Sequence, residues 1–301
     1  MIFYQCDKFL LRFFVVSIKN AIFDTSKNIN MEDFVHLHVH TYYSILDGQS
    51  SIPKLVDKAV ADGMRGMAIT DHGDMFGIKE FFDYVTGING KLVNEGKEPF
   101  KPIFGCEMYV AHRRKEDKVK EFGDMGGYHL IVLAKNYQGY KNLIKLVSRS
   151  WVDGFYQRPR TDRVDLEQFH EGLIVCSACI AGEVPKKILQ GDIAGAREAI
   201  EWYRRIFGDD YYLELQRHEV TDPSQIANRE TFPMQQKANK VLVELAREYG
   251  IKLVCTNDAH FVDRRTPRLT ITCCAFPLRP TSKTPTACAT RSRSGSRRVK
   301  R

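Results

Sequence analysis

The sequence predicts an α/β fold with a parallel sheet, and a closed barrel is favoured over an open sheet. Strand-like apolar runs alternate with amphipathic helical patterns, which is the order produced by β-α-β units. Seven such strand-like segments occur between residues 34 and 260, enough to close a barrel. Polar side chains collect at the carboxyl ends of these segments, where parallel α/β barrels carry their functional sites.

The first strand is predicted over Phe34–His40, where apolar residues alternate with His36, His38 and His40. A period of two puts the three imidazoles on one face, with successive members about 6.6 Å apart. A buried imidazole needs a hydrogen-bond partner or stays neutral through a shifted pKa. Neutral imidazole is also the commonest metal ligand, so core histidines and metal ligands are both open at this point. We expect His36 to pack lower in the barrel.

The remaining elements follow the same alternation. A helix is predicted from Ser51 to Gly63, because Ser51 is a good cap and Pro53 suits a first turn. A polar Gly/Lys/Asn loop is expected between the second helix and Lys101. The other predicted strands cover residues 66–70, 101–111, 128–134, 172–180, 211–217 and 251–260, and the other helices cover 76–85, 137–151, 183–189, 193–207 and 234–249.

Charge is unevenly distributed along the 301 residues, whose formal net charge is +8. Residues 264–301 hold eleven of the 45 Lys and Arg residues and no acid, which leaves 34 basic and 37 acidic residues before them. The body of the protein is therefore mildly acidic, and net charge alone does not predict nucleic-acid binding.

Three segments are predicted: a non-native N-terminal extension over residues 1–30, a single folded domain over 31–263, and a disordered, frame-shifted basic tail over 264–301. A nucleic-acid-binding tail is the alternative for the last. The apolar run Phe9–Ile18 is too short to span a membrane and is interrupted by Arg12. Eight scattered cysteines indicate no disulfide framework, which favours a reducing cytoplasmic location.

Metal-binding side chains dominate the strand ends. Two pairs, His38 with His40 and Asp258 with His260, have i, i+2 spacing, and the first and last strands of a closed barrel are neighbours. Imidazole, carboxylate and thiol ligands suit zinc, manganese or iron. The number of candidates exceeds the three or four protein ligands of one zinc ion, so we expect two or three divalent ions.

These motifs resemble the polymerase and histidinol phosphatase (PHP) family: His38-x-His40, Asp71-His72-Gly73, Gly105-x-Glu107, His129 and Asn257-Asp258-x-His260. Three further segments resemble the branch found at the N-terminus of bacterial DNA polymerase III α subunits: residues 44–48, 155–160 and 179–184. The resemblance covers about residues 32–263. It implies a distorted (βα)7 barrel and a trinuclear centre with the ligands His38, His40, Asp47, His72, Glu107, His129, Cys179, Asp258 and His260.

The resemblance also implies a function. We expect a metal-dependent phosphoesterase acting as a 3′→5′ exonuclease on the 3′ end of DNA, with His72 and Asp258 also as catalytic candidates. Other replicase subunits would be partners of the full-length parent, a DNA-directed DNA polymerase, and no membrane partner is expected. Because nothing after His260 could supply a polymerase palm, nucleotide incorporation is not expected from this chain alone.

Several assignments stay open. Arg158 and Arg160 could hold a substrate phosphate or pack against a neighbouring polymerase domain. By spacing alone Asp47 is a turn residue, and only the resemblance favours a ligand. Cys176 lies in an apolar run and is interpreted as core, which leaves Cys179 as the ligand. The alternative functions are a stand-alone phosphatase of the histidinol-phosphate type and a non-catalytic, metal-stabilised structural module.

Overall fold

The computed structural model describes residues 34–219 and 227–262, so the predicted extension and tail lie outside it. Within these ranges, helices and strands alternate as the sequence predicts. The strands are β1 (Gly66–Ile69), β2 (Lys101–Val110), β3 (Tyr128–Ala134), β4 (Arg160–Thr161), β5 (Leu173–Cys176), β6 (Tyr211–Gln216) and β7 (Lys252–Thr256). The helices are α1 (Ile52–Ala61), α2 (Ile78–Asn94), α3 (Tyr137–Val152), α4 (Arg163–Gln168), α5 (Glu183–Gln190), α6 (Ile193–Phe207) and α7 (Phe232–Tyr249).

The strands form one curled sheet in the order β1-β2-β3-β5-β6-β7, with β4 paired to β2. All pairings are parallel except those of β3, which runs antiparallel to both β2 and β5. The prediction of a parallel sheet is therefore wrong for β3. The connection from β2 to β3 contains one 3₁₀ turn (Lys120–Phe122) and no crossover helix, and a parallel return would need a crossover.

The segment predicted as the first strand closes the barrel without forming a regular strand. His36 forms a parallel bridge to Met67 of β1, and Val39 forms one to Ala259 beyond β7. Backbone bonds run from His40 N to Ala259 O (2.8 Å) and from Ala68 N to His36 O (2.7 Å). Because one short segment pairs with both edges of the sheet, neither ladder lengthens into a strand. The first and last segments are neighbours, as the closed barrel requires.

This irregular backbone also separates His36 from the other two imidazoles, contrary to the shared face predicted from the alternation. His36 lines a small cavity with Leu55, Lys58 and Asp62 on the α1 side of the segment. Burial lowers the pKa of His36 to about 4, so it packs there as a neutral ring. His36 is therefore packed and not a ligand candidate, as expected, but it packs on the α1 side and not lower in the barrel interior.

Helix α2 extends nine residues past its predicted end, through the stretch predicted as a polar loop. Ile88 and Leu92, four residues apart, pack against the apolar cluster between α1, α2 and the sheet. The side chain of Asn89 donates to Phe100 O (2.9 Å) and accepts from Phe100 N (2.7 Å). Packing on one face and this amide bridge outweigh the low helix propensity of Gly87 and Gly90.

The barrel interior begins with an apolar floor supplied by the six main strands and their flanks: Leu37, Ala68, Ile103, Ile131, Leu133, Ile174, Cys176, Ala178, Tyr212 and Val254. Cys176 belongs to this floor, as expected. Two larger clusters fill the space between the sheet and the helices. Because strand side chains alternate, residues two or four positions beyond the floor face the same interior at the upper rim. Among the described helices, none has the length and apolar character of a membrane span.

Candidate metal centre

The upper rim of the barrel brings together all nine side chains expected to bind metal. Glu107 lies four residues beyond Ile103 on β2, and His38 and His40 come from the closing segment. His129 opens β3, two residues before Ile131. Because β3 is antiparallel, its amino end reaches the same rim as the carboxyl ends of the other strands. His129 therefore reaches the predicted rim even though β3 runs opposite to the predicted direction.

The Glu107 carboxylate is the centre of the arrangement and is fully buried. Its Oε1 atom lies 2.7 Å from His129 Nδ1 and 3.3 Å from His38 Nε2. Its Oε2 atom contacts His72 Nδ1 and lies 3.8 Å from His40 Nε2. One carboxylate thus contacts four imidazoles from three separate segments, an arrangement suited to bridging ions.

Three groups of donor atoms surround this carboxylate, and within each group the atoms lie within 4.8 Å of one another. Two of the three groups have His40 in common. The Asp47 carboxylate is a fourth potential ligand beside the group that contains His72 and His260. Its Oδ1 atom lies 3.2 Å from His72 Nε2, and its Oδ2 atom lies 3.7 Å from His260 Nε2. The groups are His40, His72 and His260; His38, His40 and Asp258; and Glu107, His129 and Cys179.

The group formed by His38, His40 and Asp258 shows most directly that a cation fits at the rim. Asp258 Oδ1 lies 3.2 Å from His38 Nε2 and 3.2 Å from His40 Nε2. Both imidazoles are fully buried, and neither Nε2 atom makes a hydrogen bond to the described residues. Buried polar nitrogens are normally satisfied, so two of them aimed at one carboxylate oxygen match the ligand geometry of a metal site.

The backbone is strained beside two of the ligands. Ala178, which precedes Cys179, has φ 62°, and Asp258 has φ 47°. Residues other than glycine rarely adopt this left-handed backbone conformation. When they do, they are often found at functional sites. Directly after Ala178, Cys179 Sγ lies 3.7 Å from His129 Nδ1.

The electrostatics of the rim favour positive charge. Burial alone would raise the pKa of the Glu107 carboxyl, but His129 and His72 outweigh it and hold that pKa well below its usual range. The pKa of the Asp258 carboxyl is likewise lowered by His38 and His260 against the effect of burial. Burial lowers the pKa of His40 well below its usual value, which keeps its ring neutral and able to bind a metal. Around the His38 and His72 rings, the neighbouring carboxylates outweigh burial and raise the pKa of His72 to about 9 and that of His38 well above its usual value. These two rings would therefore release a proton on binding a metal, while the ionised carboxylates supply its counter-charge.

A second layer of side chains, which the sequence analysis missed, orients the two central imidazoles. His38 Nδ1 lies 2.8 Å from Glu214 Oε1, and Glu214 is in turn held by Gln216 at 2.9 Å. His40 Nδ1 lies 3.0 Å from Ser44 Oγ, which donates to Asp71 Oδ1 at 2.7 Å. Carboxylates behind metal-binding histidines fix the ring orientation and raise its basicity. The i, i+2 spacing of Glu214 and Gln216 in an apolar strand is the signal that could have identified them.

Arg160, a candidate for substrate phosphate, does not fit that role. Its side chain is completely buried, whereas a cation that binds substrate phosphate must be reachable from solvent. The guanidinium donates to four backbone carbonyls, three in the loop between β2 and β3 and one just after α3, and so ties these two segments together. These are the carbonyls of Gly154 (3.0 Å), Asp124 (2.6 Å), Lys115 (2.7 Å) and Asp117 (3.0 Å).

Arg158, in contrast, is exposed beside the rim. Its guanidinium lies 5.6 Å from the centre of the Tyr109 ring, and that ring packs edge-on against His129 at 5.1 Å. It is therefore within the surroundings of the site and able to approach an anion there.

Replacing Arg160 by methionine should destabilise the protein by at least about 3 kcal/mol, because each buried carbonyl left without a donor costs about 1–3 kcal/mol. Arg158→Met should change the free energy of unfolding by no more than about 0.5 kcal/mol. Urea unfolding of both variants measures the difference. Equal stability of the two would remove the structural role assigned to Arg160.

Comparison with known proteins agrees with this architecture. The family model of the PHP domain matches residues 36–218, so the chain belongs to the PHP domain family. Within that family, similar curated proteins include several named DNA polymerase III subunit alpha. The protein from Borreliella burgdorferi is 43% identical over 233 residues, and the one from Treponema pallidum is 41% identical over 232 residues.

The alignments cover 77% of this chain but 18% of each of those two relatives, so the chain spans about a fifth of their length. Among solved structures, histidinol phosphate phosphatase from Lactococcus lactis, complexed with zinc, L-histidinol and phosphate, is 15% identical. It aligns with a TM-score of 0.40 over 81% of this chain and 94% of that one. A likeness this distant carries no argument about the site.

Proposed function

We propose that the domain hydrolyses phosphodiester bonds at the 3′ end of a DNA strand, using two or three divalent ions held at the barrel rim. The observation that carries this proposal is the convergence of three donor groups around Glu107. Sites with several ions are suited to phosphoryl transfer, because they can contact both the attacking and the leaving oxygen. The curated names of the relatives support DNA as the substrate.

The nine side chains would hold the ions in three adjoining sets, with His40 shared by two of them and Glu107 at their centre. Zinc, manganese and iron all suit this mixture of imidazole, carboxylate and a single thiolate. Bound ions would supply an activated water and neutralise negative charge on the phosphoryl oxygens. Glu214 and Ser44 would keep the His38 and His40 rings in their binding orientation.

Two ligands are also proposed to take part in the reaction itself. The His72 side chain is 12% exposed, whereas those of His38, His40 and His260 are fully buried. His72 is therefore placed to meet the substrate at the mouth of the site. Asp258 would position the two buried imidazoles through its shared Oδ1 atom. Arg158 would approach a phosphate of the bound strand from beside Tyr109.

The parent protein is proposed to be a replicative DNA polymerase α subunit that works with other replicase subunits. This proposal rests on the names of relatives that are about five times longer than the aligned region. In the 301-residue chain, the proposed reaction is hydrolysis and not nucleotide incorporation. The domain limits proposed from the sequence, residues 31–263, contain the whole family match.

The test incubates purified protein with 5′-labelled single-stranded DNA and Mn²⁺ or Zn²⁺, and follows the loss of 3′ nucleotides. Parallel reactions contain EDTA, or L-histidinol phosphate in place of DNA. The proposal expects metal-dependent shortening of DNA from its 3′ end. Faster hydrolysis of the small phosphate would favour a stand-alone phosphatase, and metal binding without hydrolysis of either substrate would favour a structural module.

A further inference from the structure

Three exposed aromatic side chains form a row beside the proposed metal centre. Phe76 is 60% exposed, Trp151 41% and Phe155 45%. The Trp151 ring stacks on Phe155, with ring centres 5.5 Å apart and planes 19° apart, and lies 6.2 Å from the Phe76 ring. We call these three residues the aromatic row.

The row is fixed in position relative to the site. Trp151 Nε1 donates a 2.8 Å hydrogen bond to the carbonyl of Gly73, the residue that follows His72. This bond satisfies the polar edge of the indole, so its remaining ring surface is available for apolar contact. Phe155 lies in the loop after α3 that also carries Arg158, whose guanidinium lies over Tyr109. A ligand at the rim would therefore meet aromatic faces and a cation together.

The chemistry of the row fits nucleobases. Aromatic side chains that present faces beside a basic residue are the usual platform for single-stranded nucleic acid, in which bases stack and phosphates meet cations. A base in a duplex has its faces covered by its neighbours, so only an unpaired strand could use such a platform. A protein partner would equally bury apolar surface, but the anchoring of Trp151 beside His72 ties the row to the reacting end of a strand.

We propose that the aromatic row stacks unpaired bases of single-stranded DNA just behind the 3′ end held at the metal centre. This inference rests on the proposed function and names the form of its substrate: a strand that is single-stranded or frayed at its end. With three aromatic faces in the row and Arg158 as the proposed phosphate contact, stacking would supply more of the affinity than phosphate contacts. Binding should therefore depend only weakly on salt concentration.

The experiment uses fluorescence from Trp151 in the full chain. The chain contains two tryptophans, and Trp202 lies elsewhere, on α6 under Arg163. The W202F variant leaves Trp151 as the reporter. It is titrated in EDTA with a 12-nucleotide single strand, and separately with a strand of equal length that carries abasic sites in place of its bases.

The proposal expects the normal strand to quench Trp151 fluorescence and the abasic strand to bind at least about tenfold more weakly, since one stacked base contributes about 1–3 kcal/mol. Phe155→Ala and Phe76→Ala, made in the same background, should each weaken binding of the normal strand. Tyr137→Ala is the matched control, since Tyr137 is 53% exposed but lies about 21 Å along α3 from Trp151. It should leave binding unchanged.

Equal binding of the normal and abasic strands would overturn the proposal, and so would absence of quenching by either strand, which would leave the row to a protein partner. Because the titration is done in EDTA, it does not depend on hydrolysis. A strand that binds through its bases but is never shortened with metal would contradict the proposed function alone. A strand that is shortened but binds without its bases would contradict the aromatic row alone.

Discussion

Replacing His40 by alanine is expected to abolish hydrolysis of single-stranded DNA, with a rate loss on the order of 10³-fold or more. His40 belongs to two of the three donor groups, and its Nε2 atom faces both Asp258 and Glu107. Ions in such sites contribute several kcal/mol to the transition state, and each 1.36 kcal/mol corresponds to about tenfold in rate. Mass spectrometry should find at least one bound ion fewer per chain in this variant than in the parent protein.

The control for this variant is His170→Ala, since His170 is an exposed histidine whose Nδ1 lies 2.7 Å from the carbonyl of Glu167. It should keep both the full metal content and the hydrolysis rate. If His40→Ala kept its rate while losing metal, the ions would not take part in the reaction. If it kept both, His40 would not be a ligand.

Removal of divalent ions is expected to lower the melting temperature by about 8–16 °C. A ligand present at 1,000 times its Kd stabilises a folded protein by about 4 kcal/mol, and 1 kcal/mol shifts the Tm of a domain of this size by roughly 2–4 °C. Without ions, Glu107, Asp258 and Asp47 are ionised carboxylates among buried imidazoles, and they depend on those rings for counter-charge. Thermal unfolding with and without EDTA measures the shift.

His40→Ala again provides the comparison. Because it removes a shared ligand, EDTA should lower its Tm by a clearly smaller amount than it lowers that of the parent chain. An equal shift in both proteins would place the stabilising ions outside the rim. The absence of any shift in the parent chain would mean that the donor groups do not bind metal.

Much of this site could be predicted because its residues lie at strand ends, where a local period and the topology of a barrel together determine position. The strand-end position or the family resemblance identifies His38, Glu107, His129 and Asp258, and the fold brings all of them to one rim. The closed barrel was also predictable from the number of alternating elements. Their roles as ligands remain predictions until an ion is measured.

The errors have a common physical origin, since each depends on contacts between residues distant in sequence. The reversal of β3 follows from a loop without a crossover helix, but the strand itself looks the same in either direction. The closing segment pairs with two edges, so its backbone is irregular and His36 faces α1. The local pattern of alternating residues contains no information about either partner.

Arg160 and Glu214 illustrate the same limit at the level of single side chains. Both are charged residues in apolar surroundings, and either could bind substrate, metal or another part of the protein. Only the fold shows that Arg160 is occupied by four carbonyls and that Glu214 supports His38 from behind. Trp151 is similar, since its exposure near His72 depends on how α3 docks against β2, β3 and β4 and reaches the loop after β1.

The central claim is that this rim holds several ions at once, and anomalous diffraction tests it most directly. Crystals of the full chain grown with Mn²⁺ or Zn²⁺ should show two or three anomalous peaks, each within coordination distance of one donor group. The peaks should surround Glu107, with one of them between His38, His40 and Asp258. Crystals that show no peak at the rim, or ions only at surface carboxylates, would contradict the account.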